Sequence, residues 1–200
     1  TASYTLSLHD ALPISRFSQV STEEEALALL ENMTFDLVIC MPSTGDNDSF
    51  DIGRHIKSLY EHIPIVILTP FSHGITARIA DEDLSAFDYV FCWLGNTDLL
   101  VSIIKLIEDK MNLEHDVAEV GVQLILLVED GIRFYSSVLP NLYKFVLKQS
   151  QELSTEALNA HQRTLRMRGR PKIVLARTYD EAITIDRKST RLNSSHNNRS

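Results

Sequence analysis

The sequence predicts an α/β fold, a doubly wound parallel sheet covered by helices on both faces. Strand-length segments that are apolar at nearly every position alternate with amphipathic helical segments. Strands that are apolar on both faces are typical of parallel sheets with helices on each side. The pattern stops at a polar connector, residues 112–121, and then begins again. We therefore predict one incomplete domain, residues 15–111, followed by the start of a second, residues 122–185.

The first domain is predicted to contain three strands and four helices. Ser21-Thr22-Glu23-Glu24 forms a capping box, in which the Ser side chain and the Glu three residues later satisfy free amides of a helix start. The last helix follows Asn96 and has apolar residues at helical spacing up to Met111. The predicted strands are 35–40, 63–69 and 88–92, and the other helices are 50–60 and 75–84.

The second domain begins with an apolar strand, Leu124–Val128, that ends in Glu129-Asp130. A long helix follows, is kinked at Pro140, and continues to a break at Gly169–Pro171. Residues 173–176 are predicted as the next strand and residues 179–185 as the start of a helix.

Both ends of the chain look foreign to the fold. Tyr4–Ile14 and Asp186–His196 each resemble an in-frame translation of a sequencing-adapter oligonucleotide, and such segments are set aside before a fold is predicted. We expect residues 1–14 and 186–200 to be non-native and to pack on nothing specific, with Leu8 and Leu192 outside the core.

Composition points to a cytoplasmic protein without a membrane or nucleic-acid partner. The net charge is −8, which repels nucleic acid and anionic membranes overall. No apolar run approaches the roughly 18 residues of a membrane span. Cys40 and Cys92 lie within apolar strand patterns. We interpret them as buried, reduced thiols, with no disulfide framework or zinc spacing.

Several segments of the first domain carry a family resemblance. Asp36–Cys40 precedes Met41, Asp48-Ser49-Phe50 follows, and the next two strands end at Thr69 and Cys92. These segments resemble the response-regulator receiver family, a flavodoxin-like domain that is phosphorylated on an Asp. The resemblance places Met41 at the phosphoacceptor position, Thr69 at the switch hydroxyl and Cys92 at the position of the family's Lys.

These replacements imply a pseudo-receiver. A thioether cannot accept a phosphoryl group, so Met41 ends phosphotransfer by the family's route. A Lys facing the altered pocket would be a poorly compensated buried charge, and Cys92 makes the pocket neutral. An alternative alignment would make Asp46 or Asp48 the acceptor, although both lie in a polar loop.

In the second domain, Glu129 and Asp130 stand where the receiver resemblance expects metal-binding acids. They imply half of a Mg²⁺ site, whose remaining ligands would come from a strand beyond Ile185. We expect no cofactor to bind this chain, and Mg²⁺ to bind only the complete second domain.

The resemblance also extends to a narrower group over nearly all of residues 15–185. The strings that carry it are FDLVICMP, LTPFS, DYVFCWLGN, LILLVED and RFYSSVLPNLYKFVLKQS. They are similar to tandem receiver-like regions that precede a pyruvate phosphate dikinase or phosphoenolpyruvate-synthase type ATP-binding domain. This implies a phosphorelay-type regulatory module that is not itself an enzyme. Its partners would be other proteins or other domains of the same chain.

A DNA-binding function is the alternative. Arg168-Gly169-Arg170-Pro171-Lys172 matches the core of an AT-hook, a flexible peptide that lays arginines in the minor groove of A·T-rich DNA. The same residues also suit a helix stop and a turn into the strand at Ile173. No GxSxG, GxGxxG or GxxxxGK[ST] motif occurs, which disfavours a hydrolase, a dehydrogenase or a P-loop enzyme.

Overall fold

A computed structural model describes residues 17–42, 49–70, 79, 81–117, 122–155 and 169–197, without the side chains of 151–155 and 189–197. The chain divides into two compact units, Thr1–Phe35 and Asp36–Ser200. We describe each unit by itself.

The described part of the first unit contains one helix, α1, Glu23–Asn32. Its N-cap is Thr22, whose hydroxyl accepts a hydrogen bond from the Glu25 amide at 3.3 Å. The Glu25 carboxylate in turn accepts from the Ser21 amide at 2.9 Å. The capping box therefore begins one residue later than predicted, because Thr22 is the residue with an extended backbone.

The second unit is a mixed α/β structure whose strands are all parallel where the structure describes them. Strands β1, β2 and β3 form one sheet in that order, and β4 pairs with β5 in another. This confirms the α/β class and the parallel strands. In chain order the elements are β1 Val38–Cys40, α2 Ser49–Leu59, β2 Ile65–Pro70, β3 Tyr89–Trp93, α3 Asp98–His115, β4 Leu124–Val128, α4 Ile132–Thr155, β5 Lys172–Ala176 and α5 Tyr179–Asn197.

Several boundaries differ from the prediction. The strand predicted over 35–40 is shortened to Val38–Cys40, and half of the helix predicted over 75–84 lies outside the described residues. Helix α5 continues beyond Ile185, where Lys188 forms an exposed ion pair with Glu114. The side chains of Leu8 and Leu192, on which the prediction about the ends depends, lie outside the described residues.

The described part of the predicted polar connector 112–121 contains helical and buried residues. Helix α3 continues into it as far as His115, and Asp116 and Val117 are buried. The physical reason is an ion pair between the Asp116 carboxylate and the Lys172 ammonium at 2.7 Å. The prediction depended on the spacing of apolar residues, which carries no information about an ion pair between distant residues.

One hydrophobic core joins residues of both predicted domains. Its members come from β2, β3, α3, α4 and β5. Phe91 of β3 packs edge-to-face on Tyr135 of α4, with ring centroids 5.7 Å apart. The fully buried members include Phe91, Ile103, Leu106, Tyr135, Leu139, Ile173 and Leu175. The segments on either side of the predicted connector therefore pack on each other.

Buried tyrosines predict a loss of stability in alkali. Burial raises the pKa values of Tyr89, Tyr135 and Tyr143 above the ordinary value of 10.0, and raises that of the Cys40 thiol to about 12. These groups stay protonated in the fold and ionise in the unfolded chain, so unfolding releases protons above about pH 9, where an unfolded thiol begins to ionise. Stability is therefore fully present below that pH and falls as the pH rises.

We expect the melting temperature to drop between about pH 8 and about pH 11, with tyrosinate absorbance rising at the same transition. A tyrosine titration that is complete near the ordinary pKa, with the fold intact, would contradict this prediction.

Candidate functional site

The first candidate site is the carboxyl edge of the sheet β1-β2-β3. Thr69 and Cys92 lie opposite each other in the register of β2 and β3, and Met41 follows the last residue of β1. Ligands of open α/β sheets bind at this edge. The structure therefore brings the three residues singled out in the first domain to the ends of neighbouring parallel strands.

Among the described residues, no acidic side chain lies at the carboxyl ends of β1, β2 and β3. The Met41 side chain is 59% exposed, and its carbonyl accepts a hydrogen bond from the Ser49 hydroxyl at 3.3 Å. The buried Thr69 hydroxyl donates to the carbonyl of Pro70 at 2.9 Å. Asp46 and Asp48, the alternative acceptors, lie outside the described residues.

Cys92 is unsuited to nucleophilic chemistry. It is buried, and burial raises the pKa of its thiol, with Arg133 acting weakly in the opposite direction. Because the thiolate is the reactive form, the Cys92 side chain behaves as a small neutral group. This edge can support contacts with another molecule, but it offers no nucleophile among its described residues.

Helix α4 seals the outer side of β3 in a way that the sequence did not predict. The Cys92 amide donates to the Ser136 hydroxyl at 2.9 Å, and the Tyr135 hydroxyl donates to the Val90 carbonyl. The two side chains are adjacent in α4 but point to a strand more than 40 residues earlier. No local motif signals this pairing, since it depends on how the helix packs.

The second candidate site is a cleft of about 450 Å³ at the carboxyl edge of β4 and β5. Glu129 and Asp130 line it, as the strand ending predicted, and are joined by three residues that the sequence analysis missed. These are Arg177, Thr178 and Tyr179. The missed signal was Thr178-x-x-Glu181, a capping pattern that marks the start of α5.

The two carboxylates of the cleft differ in their surroundings. One oxygen of Glu129 accepts from the Gly131 amide at 3.0 Å, whereas Asp130 is exposed. Mg²⁺ suits a site of one or two carboxylates completed by waters and other oxygen ligands. Among the residues that the structure describes, no group of three His, Cys, Asp or Glu side chains could hold a metal ion. Glu129 and Asp130 are oxygen ligands of the kind that Mg²⁺ prefers, but two carboxylates alone do not make a metal site.

Arg177 and Thr178, on the β5 side of the cleft, already make contacts within the protein. The Thr178 hydroxyl accepts from the Glu181 amide at 3.1 Å, and the Glu181 carboxylate accepts from the Arg177 amide at 2.8 Å. The Arg177 guanidinium lies over the Tyr89 ring, 5.4 Å from its centroid. Arg177 therefore packs back on the protein, which favours a structural role for it.

The AT-hook-like segment contributes to a buried ionic cluster. The Arg170 side chain bonds both oxygens of Asp109, at 2.7 and 3.0 Å, and residue 170 is 4% exposed. Asp109 also accepts from the Tyr143 hydroxyl and the Ile173 amide, both at 3.0 Å. Lys172, also buried, pairs with Asp116. Arg168 lies outside the described residues.

No protein-family model, curated protein or solved structure matches this chain. Within the described ranges, no helix is long and apolar enough to cross a membrane.

Proposed function

We propose that this chain is a regulatory module of phosphorelay-type signal transduction whose first receiver-like domain, residues 15–111, cannot be phosphorylated. The observation that carries the proposal is the placement of Met41, Thr69 and Cys92 at the ends of adjacent parallel strands. In a working receiver, an Asp, a hydroxyl and a Lys would meet at such an edge. Here the first and the last of these are a thioether and a neutral thiol.

The electrostatics of the edge support the proposal. Met41 replaces the family's Asp and Cys92 replaces its Lys, so both charges are absent together. A single charge left in this buried place would lack a counter-charge and would be costly. The Thr69 hydroxyl already donates its hydrogen bond to the Pro70 carbonyl, so it is not directed at a position where a phosphoryl group would lie. Regulation would then act through contacts with protein partners or with other domains of the same polypeptide, at the face around Thr69 and Trp93.

The proposed output lies outside this chain. The resemblance suggests a phosphoenolpyruvate-synthase or pyruvate phosphate dikinase-like catalytic region elsewhere in a longer polypeptide, with this chain acting as its non-enzymatic regulator. The flavodoxin-like topology is part of the same proposal. We place the module in the cytoplasm because both cysteines are free and buried, as expected in a reducing compartment.

The buried cluster around Asp109 disfavours the DNA-binding alternative. AT-hooks act as unfolded peptides whose arginines enter the minor groove. Arg170 would have to leave a two-bond ion pair with a fully buried carboxylate to do so. The turn interpretation of Gly169–Lys172 accounts for its composition without a ligand.

A phosphodonor experiment tests the phosphorylation claim. The chain is incubated with acetyl phosphate and Mg²⁺ and then analysed by intact-mass spectrometry, beside an ordinary receiver as a positive control. We expect the chain to show no phosphoryl adduct while the control is labelled, because Met41 has no group that can attack phosphorus. Acyl phosphate mapped to Asp46 or Asp48 would refute the pseudo-receiver proposal.

A Mg²⁺ titration tests the second predicted domain, residues 122–185. We expect negligible affinity in this chain, since Glu129 and Asp130 supply only part of a ligand set. A longer chain that includes the next strand should bind Mg²⁺ and lose binding on Asp130→Ala. The matched control is Asp98→Ala, which removes an exposed carboxylate away from the cleft and should leave affinity unchanged. No Mg²⁺ response in the longer chain would show that the second domain is also degenerate.

A further inference from the structure

The acidic end of β4 and the carboxyl end of β3 are joined by a continuous run of hydrogen bonds. At its start, one carboxylate oxygen of Glu129 accepts from the Gly131 amide at 3.0 Å. The Gly131 carbonyl in turn accepts from the amides of Phe134 and Tyr135, at 2.9 and 3.1 Å. The beginning of helix α4 is therefore attached to the side chain of Glu129.

The first turn of α4 is attached to β3 as well. The Tyr135 hydroxyl donates to the Val90 carbonyl, and the Ser136 hydroxyl accepts from the Cys92 amide at 2.9 Å. Val90 and Cys92 are alternate residues of β3, so their backbone groups point to the same side of the strand. Two adjacent residues of the helix thus hold two alternate residues of the strand.

The contact between α4 and β3 is buried. Tyr135, Ser136 and Cys92 are all among the buried residues. A buried amide that loses its acceptor keeps its desolvation cost, and a displaced side chain in a close-packed interior moves its neighbours. A shift of the first turn of α4 therefore reaches β3 instead of being absorbed by solvent.

The end of β3 belongs to the face proposed above for contacts with partners. Cys92 lies opposite Thr69 in the register of β2 and β3, and Trp93 follows it opposite Pro70. The amide held by Ser136 thus lies in the backbone segment that leads directly to Trp93. A change in this hydrogen bond alters the strand end that the proposed function uses.

Glu129 is the end of this run that a ligand can reach. Its side chain is half-buried and lines the cleft at the end of β4, while its carboxylate holds the Gly131 amide. A divalent cation bound by Glu129 would compete with that amide for the carboxylate, since both are attracted to the same negative charge. Loss of the Gly131 bond would release the beginning of α4.

We propose that this run of hydrogen bonds is a coupling device, in which a change at the Glu129 carboxylate alters the end of β3 through the first turn of α4. The inference rests on the proposed function and names its regulation. A divalent cation held by Glu129 in the complete second domain changes the contact face around Thr69 and Trp93. By reciprocity, a partner bound at that face changes the cation affinity of the second domain.

Amide hydrogen exchange of this chain, with the substitution Glu129→Ala, tests the coupling. Alanine removes the oxygen that accepts from Gly131 and so reproduces the loss of that bond. We expect the Cys92 amide to exchange faster by about fivefold or more, the ratio for weakening one hydrogen bond by its usual net contribution. The amide of Leu106, a fully buried residue of α3, is the internal reference and should exchange at its original rate.

Two further variants isolate the Gly131 hydrogen bond. Glu129→Gln keeps an oxygen acceptor at the same place and should leave Cys92 exchange within about twofold of its original rate. Asp180→Ala removes an exposed acid from the first turn of α5 and is the matched control for the loss of charge. In Glu129→Ala, an unchanged Cys92 amide would overturn the proposal. So would equal acceleration of Cys92 and Leu106, which would show a general loss of stability.

Fluorescence of Trp93, the single tryptophan, tests the route through α4. Glu129→Ala should shift its emission. In a Ser136→Ala background the same substitution should give a clearly smaller shift, because the link to Cys92 is already broken. Equal shifts in the two backgrounds would contradict the route. The exchange experiment leaves Ser136 unchanged and decides the question if Ser136→Ala does not fold.

Failure of the coupling and failure of the proposed function give different results. Acyl phosphate on Asp46 or Asp48 in the phosphodonor experiment would refute the pseudo-receiver and leave the response of Cys92 to Glu129→Ala intact. A Cys92 amide that does not respond would refute the coupling, whatever the phosphodonor experiment shows.

Discussion

Replacing Asp109 by alanine is expected to lower the free energy of unfolding by about 3–5 kcal/mol. Asp109 is fully buried, and its carboxylate is the common partner of Arg170, Tyr143 and the Ile173 amide. Alanine would leave a buried guanidinium without its counter-charge and two further donors without an acceptor. Urea unfolding followed by circular dichroism measures the loss.

The size of this effect comes from the groups left behind. A buried ion pair contributes little net stability when compared with a well-packed apolar pair, because both charges must leave water. Removing one partner alone is costly, since the other charge keeps its desolvation penalty. The Lys172 ammonium lies 3.7 Å from Asp109 but also pairs with Asp116 at 2.7 Å, so it retains a counter-charge in the variant.

Two comparisons separate this mechanism from a general effect of losing an acid. Asp130→Ala removes an exposed carboxylate and should change stability by less than about 0.5 kcal/mol. In a double-mutant cycle, Asp109→Ala and Arg170→Ala together should cost clearly less than the sum of the single losses, because neither charge is then left alone. Additive losses would show that the two side chains do not act as a pair.

The strands were largely predictable because each carries a local signal. The run Leu124–Val128 was predicted at the boundaries that the structure shows. Ile63–Thr69 was predicted to within two residues of β2, Ile65–Pro70. An apolar run of strand length needs no knowledge of the rest of the chain, and parallel pairing follows from the helices between the strands.

The buried ionic cluster was not predictable in the same way. Arg170 lies in a basic turn and Asp109 on a charged stretch of α3, and charges at such positions are usually solvated. Their contact joins residues separated by 61 positions in the chain. Local periodicity and motif matching cannot detect a contact between residues so far apart in the chain. Without that contact, the basic residues 168–172 resembled a DNA-binding peptide.

In the candidate sites, too, some residues could be predicted from local sequence patterns and others could not. Glu129 and Asp130 were placed at the end of a strand by the apolar run before them, and the cleft forms there. Arg177 and Thr178 reach it only because β5 lies beside β4 in a fixed register. Ser136 reaches Cys92 only because α4 packs on β3. Residues supplied by one strand could be predicted, and residues supplied by packing could not.

Phe91→Ala is expected to cost about 3–5 kcal/mol of unfolding free energy, the usual range for deleting a fully buried phenyl ring. Phe91 is fully buried and packs on Tyr135 of α4, while Tyr89 lies beside it at a centroid distance of 6.0 Å. Truncation removes apolar contact and leaves a cavity between β3 and α4. Phe145→Ala is the matched control, since that ring is 59% exposed; it should cost less than about 0.5 kcal/mol.

The same variant tests whether the segments on the two sides of residues 118–121 unfold together. Trp93 is the single tryptophan and lies in β3, so its fluorescence reports on the three-stranded sheet. Exchange of the Ile173 and Leu175 amides reports on β5. Because Phe91 belongs to a core that both segments share, its truncation should shift both signals to the same lower denaturant concentration. A shift in Trp93 fluorescence alone would show that the two segments fold independently, and that the shared core contributes little to their cooperativity.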